Sequence, residues 1–178
     1  MSEINFDPIL LTQSLVKCAS ITPKDEGALK IVENHLKAIG FDCYPLNFSG
    51  NNSYEVKNLF ATIGNEGKHF AYAGHTDVVP IGNESSWKYP PFSAKIDGEK
   101  LYGRGSEDMK SSVACFISAT KRFVDKYKNF PGKISFIITG DEERDSVNGT
   151  PRILEWASKQ NYKFDHCLVG EPTSKNEV

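Results

Sequence analysis

Seven residues constrain this fold more than any others. Lys133 to Thr139 reads Lys-Ile-Ser-Phe-Ile-Ile-Thr and is nearly continuously apolar. Such a run predicts a strand covered on both faces rather than one with a wet side. A strand of that kind needs a layer above it and a layer below. The neighbouring chain supplies candidates for both. Asp7-Pro8 reads as an N-cap followed by proline in the first turn, opening a helix through Ile9, Leu10, Leu15 and Val16 to about Ala19. Ser20-Ile21-Thr22-Pro23 breaks it. Leu29, Val32, Leu36 and Ile39 recur at helical spacing before Gly40, a C-terminal cap.

Short β-like segments follow at Phe41–Leu46, Asn58–Ile63 and His69–Ala73. Ala94–Ile96 and Lys100–Tyr102 flank Asp97-Gly98, a hairpin signal. Met109 to Tyr127 reads as a long helix burying Val113, Phe116, Ile117, Thr120 and Val124. Val147 to Lys159 reads as another helix, and Cys167-Leu168-Val169 as a last short buried strand. Asn47–Asn52 and Ile81–Pro91 read as loops. Helices alternating with apolar strands predict an α/β fold, with a mixed, mostly parallel central sheet sandwiched by helices.

Composition narrows the partners. Lys plus Arg number 21 and Asp plus Glu 23, so no basic excess grips a phosphate backbone, and nucleic acid is excluded as a partner. The N-terminus has no apolar signal core, and no apolar run approaches a membrane span. The four cysteines at 18, 43, 115 and 167 form no CxxC pair. Cys115 and Cys167 lie in apolar stretches and read as small buried hydrophobes. A reducing, cytoplasmic setting is expected.

Chemistry concentrates where strands end, which is where α/β sheets build sites. His69–Ala73 runs into Gly74-His75-Thr76-Asp77. The 133–139 strand runs into Gly140-Asp141-Glu142-Glu143. Cys167–Val169 runs into Gly170-Glu171-Pro172. Asp108 stands where the long helix begins. Each piece has a plainer reading. His75 suits a loop, Asp77 and Glu171 suit turns, Asp108 suits a helix N-cap, and the acidic run suits a solvated surface. Together they place one imidazole and several carboxylates at one sheet edge, a donor set suited to Zn²⁺ or a similar divalent ion. Gly103-Arg104-Gly105 is no nucleotide loop, because the third glycine position holds Asp108, whose charge would repel a pyrophosphate. His35, His69 and His166 read as structural.

Five ordered stretches carry a family resemblance. They are Ala73–Pro80 (Ala-Gly-His-Thr-Asp-Val-Val-Pro), Trp87 with Pro91-Phe92, Leu101–Lys110 (Leu-Tyr-Gly-Arg-Gly-Ser-Glu-Asp-Met-Lys), Asp141-Glu142-Glu143 with Asn148-Gly149-Thr150, and Leu168–Ser174. The chain resembles the M20 family of di-zinc aminoacylases and carboxypeptidases. With Ser20-Ile21-Thr22-Pro23, the wording is most similar to its desuccinylase branch.

The resemblance implies a zinc-dependent amide hydrolase splitting N-succinyl-LL-2,6-diaminopimelate into succinate and LL-2,6-diaminopimelate, in lysine and diaminopimelate biosynthesis. Acetylornithine deacetylase, aminoacylase and a metal-free remnant are the alternatives. It implies two zinc ions, with cobalt as a substitute, and a small N-acyl amino acid as substrate. His75, Asp108 and Glu171 would hold the first ion, and Asp108 and Glu143 the second. Glu142 would be general base and then general acid, and Asp77 would orient the His75 ring. A cis peptide between Asp108 and Met109 is also implied.

Arg144 departs from the resemblance, since relatives often carry a small residue there. Length departs too. The family inserts a lid and dimerisation domain and returns with a histidine for the second ion. Residues 1–178 therefore read as the N-terminal portion of a catalytic domain, an inactive fragment with an incomplete second site. The full-length protein is expected to be a homodimer, and the fragment a monomer or a non-native associate.

Overall fold

The computed structural model describes residues 4–50 and 52–173. Asp7 caps α1 (Pro8–Val16) by accepting from the Ile9 and Leu10 amides. Leu11, Leu15 and Val16 are buried, whereas Ile9 and Leu10 are exposed, so the buried stripe is narrower than expected. Helix α2 (Ala28–Ile39) ends at Gly40, whose φ of 108° suits a residue without Cβ.

Strands β1 (Asp42–Gly50) and β2 (Ser53–Gly64) form one long hairpin. The polar stretch expected to be a loop from 47 onward thus extends β1 as far as Gly50. Tight pairing of Asn47 with Lys57 and Phe48 with Val56 outweighs its polar composition. Strand β3 (His69–His75) is followed by the two-stranded ribbon β4 (Lys95–Asp97) and β5 (Lys100–Tyr102). Helix α3 (Ser111–Lys126) follows a wide turn at Ser106–Lys110, and β6 spans Lys133–Thr139 as expected. Helix α4 (Thr150–Lys159) begins three residues later than expected, and β7 is His166–Val169.

The main sheet has the order β1-β2-β6-β3-β7. Pairings β1·β2 and β2·β6 are antiparallel, and β6·β3 and β3·β7 are parallel, giving a mixed α/β sheet. Strand β6 shows why its sequence is continuously apolar. Phe136 and Ile138 enter the core formed with α1, α2 and α3, while Ile137 enters the second core with Phe60, Ile153 and Ala157 beneath α4. Both faces are dry, so alternation disappears.

The expectation of a buried β7 is overturned. All four of its residues are exposed, with Leu168 at 47% and Val169 at 59%. Among the described residues it ends the sheet and has a neighbour only in β3. Cys167 and Cys115 are likewise exposed rather than buried, one on this edge strand and one on the outer side of α3. Among the described residues no helix is long and apolar enough to cross a membrane.

Candidate metal centre

Strands β6, β3 and β7 run parallel, so their carboxyl ends share one edge. His75 is level with Thr139, and Ala73 with Val169. Residues that follow β6 and β7 therefore arrive on either side of His75. Chain order scatters these segments over a hundred positions, and the parallel triplet collects them.

The His75 ring is buried, at 1% exposure, while the carboxylates around it reach in from wetter positions. Its Nε2 lies 3.1 Å from Asp108 Oδ1, 3.5 Å from Glu171 Oε1 and 3.9 Å from Glu142 Oε2. Its Nδ1 lies 3.0 Å from the main-chain oxygen of Asp77 and 3.4 Å from the carboxylate Oδ1. Burial opposes charge on this imidazole, but the Asp77 and Glu171 carboxylates outweigh it and raise its pKa to about 9.

Asp77 is equally buried and does more than face the ring. Its carboxylate accepts the Glu142 amide at 3.1 and 3.2 Å and the Glu143 amide at 3.1 Å. It therefore fixes the backbone that carries both glutamates. Burial pushes its pKa up, yet hydrogen bonds from His75 and Thr22 hold it below the usual carboxylate range. Asp141, the first acid of the run, turns away. It accepts from the Tyr54 hydroxyl at 2.6 Å and anchors the loop to β2. Burial, then Asp141, pushes the Tyr54 pKa up to about 12.

Asp108 sits in the wide turn before α3, not at a helix N-cap, and the peptide joining it to Met109 is cis. Met109 fills the floor of the site. Its sulfur accepts the His75 amide at 3.2 Å. A Cβ on Gly74 would stand 2.6 Å from its methyl carbon, and one on Gly170 2.7 Å. Glycine at both strand ends is what lets β3 and β7 close over this side chain.

The donor set fits a cation. One ligand atom from each of His75, Asp108 and Glu143 falls within 4.8 Å of the others, and so does one from each of His75, Glu142 and Glu171. Nitrogen and carboxylate oxygen at this spacing match divalent zinc-type sites. Burial, then the neighbouring acids Asp108 and Glu142, raises the pKa of both Glu143 and Glu171. A divalent ion would relieve that crowding. His35, His69 and His166 stay outside: His35 is bonded to Ile31 on α2, His69 is tied to Ser135 at the opposite end of β3, and His166 begins β7.

The profile of peptidase family M20/M25/M40 matches residues 71–178, more than half the chain and every residue of the cluster. The chain belongs to this family. Two curated relatives, both named succinyl-diaminopimelate desuccinylase, come from Hydrogenovibrio crunogenus (48% identical over 97% of this chain) and Beijerinckia indica subsp. indica (45% over 98%). The chain spans 44% and 45% of their lengths. Among solved structures, human carnosine dipeptidase 1 superposes with a TM-score of 0.79 at 23% identity, over 95% of this chain and 41% of that one. An M20 family metallo-carboxypeptidase from Sulfolobus solfataricus gives 0.72 at 24%, over 92% and 37%. At those identities the structures share the fold.

Reasoning from sequence missed three contributors to this M20 centre: Thr22, which bonds Asp77; Tyr54, which bonds Asp141; and Lys110, buried beside the turn. In the sequence Thr22 belongs to a helix break and to a stretch that carries the family resemblance, and neither gives its side chain a partner. A hydroxyl directly before proline was the available signal.

Proposed function

We propose that this chain is the metal-binding part of a desuccinylase acting on N-succinyl-LL-2,6-diaminopimelate, a small N-acyl amino acid. The observation that carries the reading is the convergence of His75, Asp108, Glu142, Glu143 and Glu171 on one sheet edge. The two desuccinylase-named relatives supply the substrate.

His75, Asp108 and Glu171 would hold a first zinc ion, and Asp108 with Glu143 a second. When bound, zinc supplies a Lewis acid that polarises the amide carbonyl and acidifies water. Glu142 is the group left to move the proton. Its side chain is half exposed while its backbone is pinned by Asp77, so the carboxylate reaches solvent from a fixed base. It takes a proton from the attacking water as oxygen bonds the succinyl carbon. It returns that proton to the amine as the C–N bond breaks, giving succinate and free diaminopimelate. Asp77 holds the His75 ring from the Nδ1 side.

With two donors at the second position, residues 1–178 are expected to hold one ion tightly and the other weakly, and to turn over little substrate. Zinc titration of the chain by calorimetry tests this. One tight site is expected, lost in His75→Ala. Absence of zinc binding would overturn the metal reading, and two tight sites would overturn the incomplete second position.

A further inference from the structure

The break after α1 is a strap that reaches three of the four acid-bearing segments, all but the one that carries Glu171. Its backbone pairs with the residue after Asp77: the Val78 amide donates to Ser20 O at 3.0 Å, and the Thr22 amide to Val78 O at 3.3 Å. The Ser20 hydroxyl donates to Thr76 O at 2.6 Å, and the Thr22 hydroxyl to Asp77 Oδ2 at 2.7 Å. Both side chains are buried. From the turn that holds Asp108, the buried Lys110 ammonium donates to Cys18 O at 2.8 Å. From the loop after β6, the Arg144 guanidinium stands 3.5 Å from Thr22 O. Arg144, the departure from the family pattern, thus faces the strap rather than the cluster.

Thr22 is the point where this strap meets a charge. An aspartate carboxylate turns about a broad, two-fold χ2, so its plane is set by whatever bonds it. Asp77 Oδ2 receives the Glu142 and Glu143 amides and one side-chain hydroxyl, that of Thr22. The amides belong to the loop being placed and cannot serve as its external reference. Two groups outside that loop face the carboxylate: the His75 ring stands 3.4 Å from Oδ1, the longer contact, and the Thr22 hydroxyl bonds Oδ2 at 2.7 Å. We propose that Thr22 is a positioning residue: its hydroxyl fixes the Asp77 carboxylate plane and so places the Glu142–Glu143 backbone against His75. The zinc arm of the test below rests on the metal reading; the exchange arm does not.

The test compares wild type, Thr22→Val and Thr22→Ser in the metal-free chain. Amide hydrogen exchange at Glu142 and Glu143 is read by NMR, with Ile137 in β6 as the internal reference. A hydrogen bond to a charged group is worth enough to predict about tenfold faster exchange at both glutamates in Thr22→Val, with Ile137 unchanged. Zinc affinity should fall about tenfold in the same variant. Thr22→Ser should restore both. Unchanged glutamate exchange overturns the proposal, and so does an equal rise at Ile137, which would mark loss of overall stability alone. Should Thr22→Val fail to fold, Thr22→Ala is read by the same ratio. Wild type that binds no zinc sinks the metal reading, while the exchange ratio still decides the role of Thr22.

Discussion

Strands β6 and β7 flank the same strand, run parallel to it and end in acids, yet they are held in opposite ways. Phe136, Ile137 and Ile138 of β6 are 2% exposed or less, whereas Leu168 and Val169 of β7 are about half exposed. The candidate site inherits the asymmetry. Glu142 and Glu143 follow a strand with neighbours on both sides, and Asp77 holds their amides. Glu171 follows a strand that, among the described residues, is bonded only to β3. The largest test of the contrast truncates one side chain on each strand. Phe136 packs edge-on against Phe41 and Phe116, and Phe136→Ala should cost about 3–5 kcal/mol in urea unfolding. Val169→Ala should stay within about 0.5 kcal/mol. Comparable losses would erase the distinction.

The looseness of β7 stops at the residue after it, Gly170. A Cβ on Gly170 would meet the Tyr72 hydroxyl, the Ser112 hydroxyl and the Met109 methyl group. The Gly170 amide is bonded to Ala73 O at 3.0 Å, which leaves it little freedom to retreat. Gly170→Ala should therefore cost about 2 kcal/mol although the two residues before it tolerate change. Urea unfolding measures that cost. A neutral result would mean that Glu171 is delivered by a strand end free to shift.

The same contrast explains what the sequence revealed. The β6 strand was legible to the residue because both of its faces are dry, and dryness is written in composition. The β7 strand was legible as a strand but not in its burial, because Cys-Leu-Val reads alike at a centre and at an edge. His75, Glu142, Glu143 and Glu171 were legible as imidazole and acids at strand ends, and Asp108 as an acid before a helix; the parallel triplet and the turn before α3 then brought them together. Thr22, Tyr54 and Lys110 were not, because their roles depend on partners 55, 87 and 92 residues away. Periodicity reports a residue's own neighbourhood and carries no trace of such contacts. The late start of α4 has a similar long-range cause: the Asn148 amide donates to Gly50 O and Tyr54 O, 98 and 94 residues away, so the chain stays irregular until Thr150.

A smaller effect belongs to the well-held side. The folded pKa of His75 is raised to about 9 from an ordinary 6.5, with the ring buried. A raised pKa stabilises the fold fully below the unfolded value and loses that contribution as pH rises through the folded one. Stability of the metal-free chain should therefore fall by about 1.5 kcal/mol between pH 6.5 and 8. The depressed pKa of Lys110, about 8, acts with the opposite sign and mainly above that window. His69, whose burial lowers its pKa, acts below it. Urea unfolding at the two pH values measures the fall. Asp77→Asn should flatten it, and a slope that survives in that variant would assign the proton elsewhere.

The smallest expected change in stability is on β7 itself and is the most specific to its exposure. Open strand edges invite pairing with another chain, and a charged side chain on the edge blunts that tendency. Leu168 is 47% exposed on such an edge among the described residues. Leu168→Lys should leave unfolding within about 0.5 kcal/mol of wild type, because half-exposed surface changes away from caps and cores cost little. The same variant should reduce concentration-dependent association measured by sedimentation velocity, since a strand added at this edge would have to pack beside the new charge. A loss of several kcal/mol would mean that Leu168 is covered, and β6 and β7 would then be alike after all. Unchanged association at unchanged stability would leave the contrast in burial intact and remove strand pairing at β7 as its consequence.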